Sequence, residues 1–369
     1  MGLTIGLMSG TSLDGVDGVL MDFLDGGWQL KGHHHEPFGD TLREELLALN
    51  ASGTDELHRA ALAANAVSRA YASVVTALLF GCGATAREVR AIGAHGQTVR
   101  HRPGEFDGTG YTIQLLNGAL LAESTGIDVV CDLRSRDVAA GGQGAPLAPA
   151  FHAAAFGDAQ EARAVLNLGG IANLTLLAPG RPVRGFDCGP ANALMDAWCL
   201  RHRGRPYDEA GAWAASGHAA PALLASMLAE PYFALPPPKS TGRDLFHMDW
   251  LEAHCVAVGG NLAPVDVQAT LARLTAETVA LDLERHAPDT AALFVCGGGA
   301  RNAHLLRVLT ERMPGLRVRT TDDLGLPVDQ VEATAFAWLA HRFVERQAGN
   351  LPEVTGARGP RLLGALYPA

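Results

Sequence analysis

Short apolar runs bounded by glycine and small polar residues recur along the chain, and such runs predict buried strands. Residues 3–8 and 16–23 flank a polar turn, so the sequence opens with a predicted β-hairpin. Residues 164–168 and 171–177 repeat this pattern around Gly169-Gly170, which predicts a second hairpin. Two hairpins of the same kind indicate an internal duplication that produces two related α/β domains facing one another.

Longer segments with helical periodicity alternate with further apolar runs, an arrangement typical of α/β proteins. The predicted helices are 41–49, 54–80, 301–313 and 330–347, with another from about residue 193. The further predicted strands are 89–94, 128–131, 292–296 and 316–320. His33-His34-His35 is predicted to lie in an exposed loop, with metal binding as the alternative interpretation.

Composition and charge exclude several classes of protein. With 48% hydrophobic and 18% charged residues, the chain fits neither a disordered protein nor a coiled coil. A formal charge of −10 supplies no global basic field for nucleic acid. Lys31 and Lys239 are the only lysines, and neither follows a glycine-rich loop, so a Walker-type P-loop is excluded. Any phosphate must therefore be bound by backbone N–H groups, arginine or a metal.

The cysteines and the N-terminal residues indicate the compartment. None of the 6 cysteines forms a C-x-x-C pair, which favours free thiols in a reducing compartment. The first residues lack the basic segment of a signal peptide, and no apolar run reaches the roughly 18 residues of a membrane span. We therefore expect a soluble cytoplasmic protein that has no contact with membrane.

Three glycine-bearing turns are candidates for binding phosphate or a nucleotide. The turn at 9–17 offers hydroxyls and the carboxylates of Asp14 and Asp17, either of which is a candidate metal ligand. The turn at 167–173 combines glycines with amide side chains. Gly297-Gly298-Gly299 lies between a strand and a helix, where backbone can approach a ligand closely. Each segment is also compatible with an ordinary tight turn.

Asp187 is the candidate general base. It follows a short apolar run and precedes a predicted helix, in which Pro190 suits an early helical position. A carboxylate held rigidly at this point can accept a proton from water or from a hydroxyl. The alternative interpretation is that Asp187 caps the helix.

Polar residues near predicted strand ends are candidates for a substrate site, because ligands of α/β proteins bind at such ends. They are His95, Gln97, Arg134 and Asp137, and Glu332 in the first turn of the predicted helix 330–347 is a further candidate. Arginine binds a carboxylate through two parallel N–H groups, so Arg134 and Arg136 are candidates for binding an acidic substrate. Surface salt bridges and a core-packed histidine stay open as alternatives.

Seven stretches, in order along nearly the whole chain, resemble the anhydro-N-acetylmuramic acid kinases of the hexokinase, heat-shock ATPase and actin superfamily. They are GLMSGTSLDGVD at 6–17, GAHGQTVRH at 93–101, DLRSRDVAAGGQGAPLAP at 132–149, NLGGIANLT at 167–175, FDCGPANALMDAW at 186–198, PKSTGRDLF at 238–246 and CGGGARN at 296–302. The family's aspartate motif usually reads FDTGPGN, whereas this chain has Cys188 and Ala191. A thiol donates hydrogen bonds more weakly than a hydroxyl, and alanine restricts the backbone more than glycine. Both differences bear on the positioning of Asp187.

The resemblance implies an α/β fold with two facing actin/hexokinase-like (ribonuclease H-like) domains and a central cleft. We expect an N-terminal lobe formed by 1–135 plus 348–369 and a C-terminal lobe formed by 136–347. The resemblance also favours a cytoplasmic enzyme that forms a homodimer.

The resemblance further implies that ATP, water and 1,6-anhydro-N-acetylmuramic acid give N-acetylmuramic acid 6-phosphate and ADP in peptidoglycan recycling. Asp187 would activate the water, and Mg²⁺ would neutralise the β and γ phosphates. Arg134 would bind the lactyl carboxylate, with His95, Gln97 and Glu332 at the sugar. The residues implied for ATP are Gly10, Thr11, Ser12, Leu13, Asp14, Gly15, Val16, Asp17, Gly169, Gly170, Asn173, Gly297, Gly298 and Gly299.

Three other functions stay open from the sequence. Another sugar or acid kinase of the same superfamily would differ only in its substrate contacts. A nonenzymatic nucleotide sensor would need no base at Asp187. A Rossmann oxidoreductase is opposed by Asn302, which stands where the dinucleotide motif needs glycine, although Asp322 and Asp323 follow about 20 residues later.

Overall fold

The structure is a computed structural model that describes residues 2–24, 27–242 and 244–369. Arg243, part of the 238–246 stretch that carries the family resemblance, lies outside the described residues. Met1, Asp25 and Gly26 of the predicted N-terminal lobe lie outside them as well.

The chain forms two compact units. Unit 1 comprises Met1–Ala155 and Gln330–Ala369, and unit 2 comprises Phe156–Asp329. The predicted lobes follow one another along the chain in the same order as these units, and in both divisions the C-terminal segment returns to the first lobe. The predicted boundaries, however, are at residues 135 and 347. The boundaries differ because two helical segments, 148–155 and 331–344, belong to unit 1.

Strands and helices alternate along most of the described chain. The strands are β1 Leu3–Met8, β2 Gly15–Leu24, β3 Gly27–Pro37, β4 Val89–Ala94, β5 Gln97–Pro103, β6 Gly110–Leu115, β7 Val129–Cys131, β8 Arg163–Leu168, β9 Ile171–Leu177, β10 Arg184–Pro190, β11 Ala292–Cys296, β12 Arg317–Thr320 and β13 Ala365–Tyr367. The helices are α1 Asp40–Ala48, α2 Glu56–Cys82, α3 Gly118–Thr125, α4 Ser135–Ala139, α5 Ala148–Phe156, α6 Asn192–Arg203, α7 Pro221–Leu228, α8 Met248–Ala257, α9 Pro264–His286, α10 Ala303–Arg312, α11 Val331–Val344 and α12 Pro352–Thr355. Short 3₁₀ turns lie at Ala86–Glu88, Glu209–Gly211, Ala214–Ser216, Pro231–Ala234, Gly298–Arg301 and Thr321–Leu324.

The main sheet of unit 1 has the strand order β13-β7-β4-β1-β2-β3. β1, β2 and β3 are successive antiparallel neighbours, whereas β4 runs parallel to β1 and β7 runs parallel to β4. The predicted first hairpin is confirmed, and its last pair joins Met8 to Asp17. β1 is a central strand buried over Thr4 to Leu7, which explains why it is an unbroken apolar run in the sequence.

β3 is an edge strand that the sequence did not predict. Its residues alternate between exposed and partly buried, and it carries charged residues such as Lys31 and Glu36. His33-His34-His35 lies in this strand, so the prediction of an exposed loop is wrong. An edge strand pairs on one side only and tolerates polar side chains, which removes the apolar signal that identifies an inner strand.

Helix α11 packs directly on the centre of the unit 1 sheet at two glycines. A methyl group on Gly6 would overlap the carbonyl oxygen of Ala333, and one on Gly93 would overlap the carbonyl oxygen of Phe336. Gly6 and Gly93 are partners in the neighbouring strands β1 and β4, so together they form a flat patch for the helix. This close approach fixes the start of α11, where Glu332 lies.

Helix α2 is long and apolar enough, by length and composition alone, to cross a membrane. Core helices of globular proteins pass the same test. Val67, Tyr71, Val74 and Leu78 are spaced at helical periodicity and form a buried face in the core of unit 1. The packing of this face accounts for the apolar composition of α2.

The sheet of unit 2 repeats the topology of unit 1. Its order is β10-β9-β8-β11-β12, with β8, β9 and β10 antiparallel and with β11 and β12 parallel to β8. This order matches β3-β2-β1-β4-β7, so the predicted internal duplication is confirmed. The antiparallel opening strands also exclude the Rossmann alternative, which is built on parallel strands.

The core of unit 2 surrounds α9, a helix that the sequence analysis did not identify. Most of its residues are buried, and residues such as Leu274 and Val279 belong to the main apolar cluster of the unit. Because α9 is apolar on several sides, its sequence lacks the one-sided periodicity that marks a surface helix. The buried residues of α9 also include the carboxylate of Asp282.

We expect Gly93→Ala to destabilise unit 1, because its methyl group would meet the backbone of α11 rather than a movable side chain. Overpacking of this kind typically costs about 1–3 kcal/mol in the free energy of unfolding. Urea denaturation monitored by circular dichroism measures the change. Gly81→Ala is the matched control, since Gly81 lies in α2 with open space around it and alanine favours a helix. Equal stability of the two variants would contradict the packing argument.

Candidate active site

Asp187 lies in β10, and neighbouring residues of unit 2 hold its polar atoms. Its backbone N–H donates to the carbonyl of Lys239 at 3.1 Å, and its carbonyl accepts from the Tyr232 hydroxyl at 2.8 Å. Oδ2 of the side chain accepts from the Ser240 hydroxyl at 2.9 Å and from the Thr241 N–H at 3.1 Å. No hydrogen bond from the described residues reaches Oδ1, so this oxygen is available to water or a ligand.

The surroundings of Asp187 act on its pKa in opposite directions. Burial raises the pKa, because the charged carboxylate loses hydration in the protein. The hydrogen bonds from Thr241 and Ser240 and the positive charge of Lys239 favour the charged form and limit that increase. A raised pKa on a fixed carboxylate is the property of a general base that works near neutral pH.

Helix α6 begins at Asn192, and Pro190 ends β10, so the predicted helical position of Pro190 is wrong. The N–H groups of Asn192 and Ala193 donate to the carbonyls of Gly169 and Gly170 at 3.0 and 3.1 Å. These bonds satisfy donors that a helix N-terminus otherwise leaves unpaired. The hairpin tip therefore caps this helix, and the alternative of a capping aspartate is excluded.

Polar residues of three strands meet on one face of the unit 2 sheet. Asn173 in β9 pairs with Asn167 on one side and with Asp187 on the other. Gly297, with φ of +78°, follows β11, and a Cβ atom there would overlap Oδ1 of Asn167. That Oδ1 is buried and has no hydrogen-bond partner among the described residues. A buried acceptor without a partner beside glycine backbone is suited to a polar ligand.

The glycine turn after β11 connects to α10, and there is open space beside the turn at Gly298. A Cβ atom on Gly298 would meet nothing within 4 Å. The turn is a 3₁₀ segment, and α10 begins at Ala303 rather than at the predicted residue 301. Asn302 caps this helix, since its side chain accepts from the Leu305 N–H at 3.0 Å. The residue that breaks the dinucleotide motif is thus explained by helix capping.

The turn between β1 and β2 carries the residues predicted to bind phosphate. Leu13 is buried with φ of +60°, a conformation that residues other than glycine rarely adopt. The Ser12 hydroxyl donates to Asp14 at 2.7 Å, and the Gln97 side-chain amide donates to the carbonyl of Gly10 at 3.0 Å. Gln97 is fully buried, so this bond ties the turn to the start of β5.

Asp17 contacts two histidines of the edge strand. Its Oδ1 lies 3.2 Å from Nε2 of His33 and 3.0 Å from Nδ1 of His35. No group of three or more histidine, cysteine, aspartate or glutamate side chains that could hold a metal is found in the described part of the chain. His33 and His35 of the histidine run are therefore partners of Asp17.

His95, which is buried, and Arg134, which is half-buried, form a pair in unit 1. Nε and Nη2 of Arg134 donate to Nε2 of His95 at 3.2 and 2.9 Å, and Nη1 donates to the carbonyl of Gly144 at 2.8 Å. Because arginine is always a donor, the proton of His95 must be on Nδ1, which faces the carbonyl of Ser9 at 3.2 Å. Burial, with the charge of Arg134, lowers the pKa of His95 to about 3. Burial also lowers the pKa of Arg134 to about 10.

Asp137 binds Gly144, which is one of the partners of Arg134. It is fully buried, and its Oδ2 accepts from the N–H of Gly144 at 2.8 Å, the same residue whose carbonyl binds Arg134. Its Oδ1 accepts from Asn350 at 2.6 Å and from Thr355 at 2.8 Å. Asp137 is thus occupied by protein partners.

Glu332, at the first turn of α11, adds negative charge to the same unit. Its side chain is exposed, but the surrounding protein removes part of its hydration and raises its pKa. Arg134 opposes this increase, while the charges of Asp17 and Asp14 add to it. The charge of Glu332 therefore depends on one arginine and two other carboxylates of unit 1.

Comparison with known proteins identifies the family. Residues 2–369 match the family model for anhydro-N-acetylmuramic acid kinase. The chain belongs to this family. The anhydro-N-acetylmuramic acid kinase of Cupriavidus metallidurans is 58% identical over 368 residues, which cover 99% of this chain and 97% of that protein. The enzyme of the same name from Bordetella petrii is 61% identical over 370 residues, covering 100% of this chain and 96% of that protein.

A solved structure shares the fold of this kinase family member at much lower sequence identity. It is component A of the (R)-2-hydroxyglutaryl-CoA dehydratase of Acidaminococcus fermentans, with 12% identity and a TM-score of 0.50. The match covers 91% of this chain and 96% of that one. Together with the repeated strand order, it confirms the predicted actin/hexokinase-like fold class.

The two departures from the usual aspartate motif of the family occupy different environments. The thiol of Cys188 is fully buried, and burial together with the charge of Asp282 raises its pKa, so it remains protonated. Ala191 has φ of −125° and ψ of −110°, at the junction between β10 and α6.

The residues that hold the candidate base are not among the site residues predicted from the sequence. Tyr232, Lys239, Ser240 and Thr241 lie 45 to 54 positions from Asp187 along the chain. The stretch 238–246 was noted only as part of the family resemblance. Its signal in the sequence was Lys239, which is one of two lysines in a chain that otherwise uses arginine.

We expect His95 to remain uncharged at pH 5 in the folded protein. Its lowered pKa means that the unfolded chain binds a proton between about pH 6.5 and 3 that the native state does not bind, so stability falls as the pH decreases. At pH 5 this histidine alone costs about 2 kcal/mol of stability. Histidine ring NMR, assigned with His95→Gln, measures the titration, and urea-unfolded protein is the control. A folded-state midpoint near pH 6 would contradict the burial argument.

Proposed function

We propose that this family member couples the hydrolysis of 1,6-anhydro-N-acetylmuramic acid to its phosphorylation. ATP, water and the anhydro sugar give N-acetylmuramic acid 6-phosphate and ADP, a reaction of peptidoglycan recycling. The observation that carries the proposal is Asp187, whose Oδ2 is held by two donors while Oδ1 has no partner among the described residues. The family match over residues 2–369 supports the substrate, and the geometry of Asp187 supports a base that acts on water.

The reaction needs one proton acceptor and uses one displaced oxygen twice. Asp187 removes a proton from water as the water oxygen attacks the anomeric carbon, and the bond from that carbon to the 6-oxygen breaks. The electron pair of the broken bond makes the 6-oxygen a nucleophile, which attacks the γ-phosphorus and displaces ADP. One deprotonation therefore serves both bond cleavages.

The glycine motifs are assigned to the nucleotide. In unit 1, the turn at 9–17 supplies backbone N–H groups and hydroxyls for phosphate oxygens. In unit 2, we assign the remainder of ATP to Gly169, Gly170, Asn173 and the turn at 297–299. The buried acceptor of Asn167 and the open space at Gly298 support this assignment.

Magnesium fits the carboxylates of the 9–17 turn, because it prefers oxygen ligands and usually takes only one or two of them from protein. Asp14 and Asp17 offer such oxygens, and Glu332 adds negative charge to the region. Asp17 already contacts two histidines, so Asp14 is the less encumbered ligand. The ion, when bound, would neutralise charge on the β and γ phosphates.

Arg134 is assigned to the lactyl carboxylate of the sugar. Three of its five N–H groups bind His95 and Gly144, which leaves one N–H on Nη1 and one on Nη2 for a carboxylate. His95 has both ring nitrogens occupied, so we assign it to orienting Arg134. We retain Glu332, which is exposed, as a sugar-site residue. Gln97 ties the phosphate turn in place.

A different sugar or acid kinase of the superfamily is not favoured, since the relatives that match over the whole chain carry one name. A nucleotide sensor is disfavoured by the fixed carboxylate with a raised pKa. The homodimer and the cytoplasmic location stay predictions from the sequence.

We expect Asp187→Asn to lower kcat by about 10²–10⁴-fold, because the amide cannot accept the proton of water. ADP release with the anhydro sugar measures turnover, and nucleotide binding measured by calorimetry should be nearly unchanged. The matched control is Asp289→Asn, an exposed aspartate of unit 2 that pairs with Arg181. Wild-type turnover of Asp187→Asn would rule out the base role.

We expect turnover in water that contains heavy oxygen to label the oxygen bound to the anomeric carbon and to leave the phosphate ester unlabelled. Attack at carbon leaves the 6-oxygen of the sugar in the ester, whereas attack of water on phosphorus would label phosphate. Phosphorus NMR and mass spectrometry of promptly quenched product distinguish these outcomes. Unlabelled sugar with labelled inorganic phosphate would refute hydrolysis at the anomeric carbon.

A further inference from the structure

A buried ion pair includes Lys239, whose backbone carbonyl binds the N–H of the candidate base. Nζ of Lys239 donates to Oδ1 of Asp282 at 2.9 Å, and the two side chains are only 1% and 2% exposed. The ammonium also lies 5.2 Å from the ring centre of Tyr232 and 5.8 Å from that of Phe186. A buried ion pair is costly to form and is weak evidence for a purely stabilising role.

Lys239 belongs to the segment that holds Asp187. Its carbonyl accepts the Asp187 N–H, and the next two residues, Ser240 and Thr241, donate to the Asp187 carboxylate. The aromatic neighbour of the ammonium, Tyr232, donates to the Asp187 carbonyl. Anchoring Lys239 to α9 through Asp282 therefore anchors the segment that fixes the base.

We propose that Lys239 and Asp282 are positioning residues that hold the carboxylate of Asp187 in its working orientation. The proposal rests on the proposed function only in taking Asp187 as the base. The pair acts through the segment 239–241 and through the positive charge of Lys239, which favours the charged form of Asp187.

Other titratable groups around the pair do not change their charge near neutral pH. Burial raises the pKa of Cys188 and of Tyr232, so both stay protonated. Burial lowers the pKa of His286, whose Nε2 lies 3.9 Å from Asp282. Arg184 and Arg285 are permanently charged, and both lower the pKa of His286 further. The change of charge to follow is therefore that of Asp187.

The test removes both charges together, as Lys239→Met with Asp282→Leu, so that no unpaired charge remains in the core. We expect kcat to fall at least tenfold while KM for ATP and for the sugar changes less than threefold. We also expect the acidic limb of the pH–kcat profile to move to higher pH by about one unit. A merely structural role would not move the pH profile.

Lys31→Met is the matched control, because it makes the same change at the chain's other lysine, which is partly exposed near Asp22. We expect this variant to retain wild-type kcat and pH profile. A folded double variant with wild-type kcat and an unshifted acidic limb would overturn the proposal. If the double variant does not fold, Asp282→Asn tests the anchoring alone, since it keeps the shape of the side chain and weakens the contact that holds Lys239. We then expect the tenfold loss of kcat without a move of the acidic limb to higher pH, because Lys239 keeps its charge, and a wild-type kcat would overturn the proposal.

A measurement without turnover separates this proposal from the proposed function. Carbon-13 labelling of aspartate carboxyl groups allows the titration of Asp187 to be followed by NMR, with Asp187→Asn used for assignment. A higher midpoint in the charge-free variant supports the positioning role even if the base role fails. An unchanged midpoint overturns it even if Asp187→Asn abolishes turnover.

Discussion

The central constraint in this protein is that one carboxylate must lose much of its water and still keep both its charge and its direction. Asp187 meets this constraint through two donors on one oxygen, each a hydrogen bond to a charged group worth about 1.5–3 kcal/mol. Because Oδ2 is fixed, Oδ1 has a defined direction. The sheet, the Tyr232 contact and the segment 239–241 are needed to maintain that geometry.

The duplicated sheet shows how one topology serves two purposes. The first strand pair ends in hydroxyls and carboxylates in unit 1 and in glycines and amides in unit 2. The third strand is the edge of each sheet: β3 carries a histidine run, whereas β10 carries the candidate base. The duplication therefore preserved the backbone hydrogen-bonding pattern and left the strand ends free to acquire separate chemistry.

Much of the fold was accessible from the sequence, because its inner strands are apolar runs bounded by glycine. The hairpins at 3–23 and 164–177 are confirmed, as are the strands at 89–94 and 292–296. β3 escaped prediction because an edge strand lacks an apolar face, and α9 escaped because burial on several sides removes helical periodicity.

The site was only partly predictable for a different reason. Asp187 stands at the end of a short apolar run and could be proposed from local sequence, but its partners come from a segment some 50 residues away that has no periodic pattern. Likewise, the sequence suggested His95 as a sugar ligand, whereas both of its nitrogens face protein atoms. Local patterns do not show which hydrogen-bonding groups are already satisfied by tertiary contacts.

The proposed role of Arg134 at the lactyl carboxylate, together with its occupied donors, has a consequence for ligand discrimination. One edge of the guanidinium faces the imidazole of His95, and Nη1 also binds a backbone carbonyl. A carboxylate can therefore bind only the remaining N–H groups of Nη1 and Nη2, and it must lie in the plane of the guanidinium. A neutral hexosamine without an acidic side arm would leave two cationic N–H groups desolvated and unpaired. Such sugars would then bind weakly because charged N–H donors are left without an acceptor, rather than because the sugar does not fit.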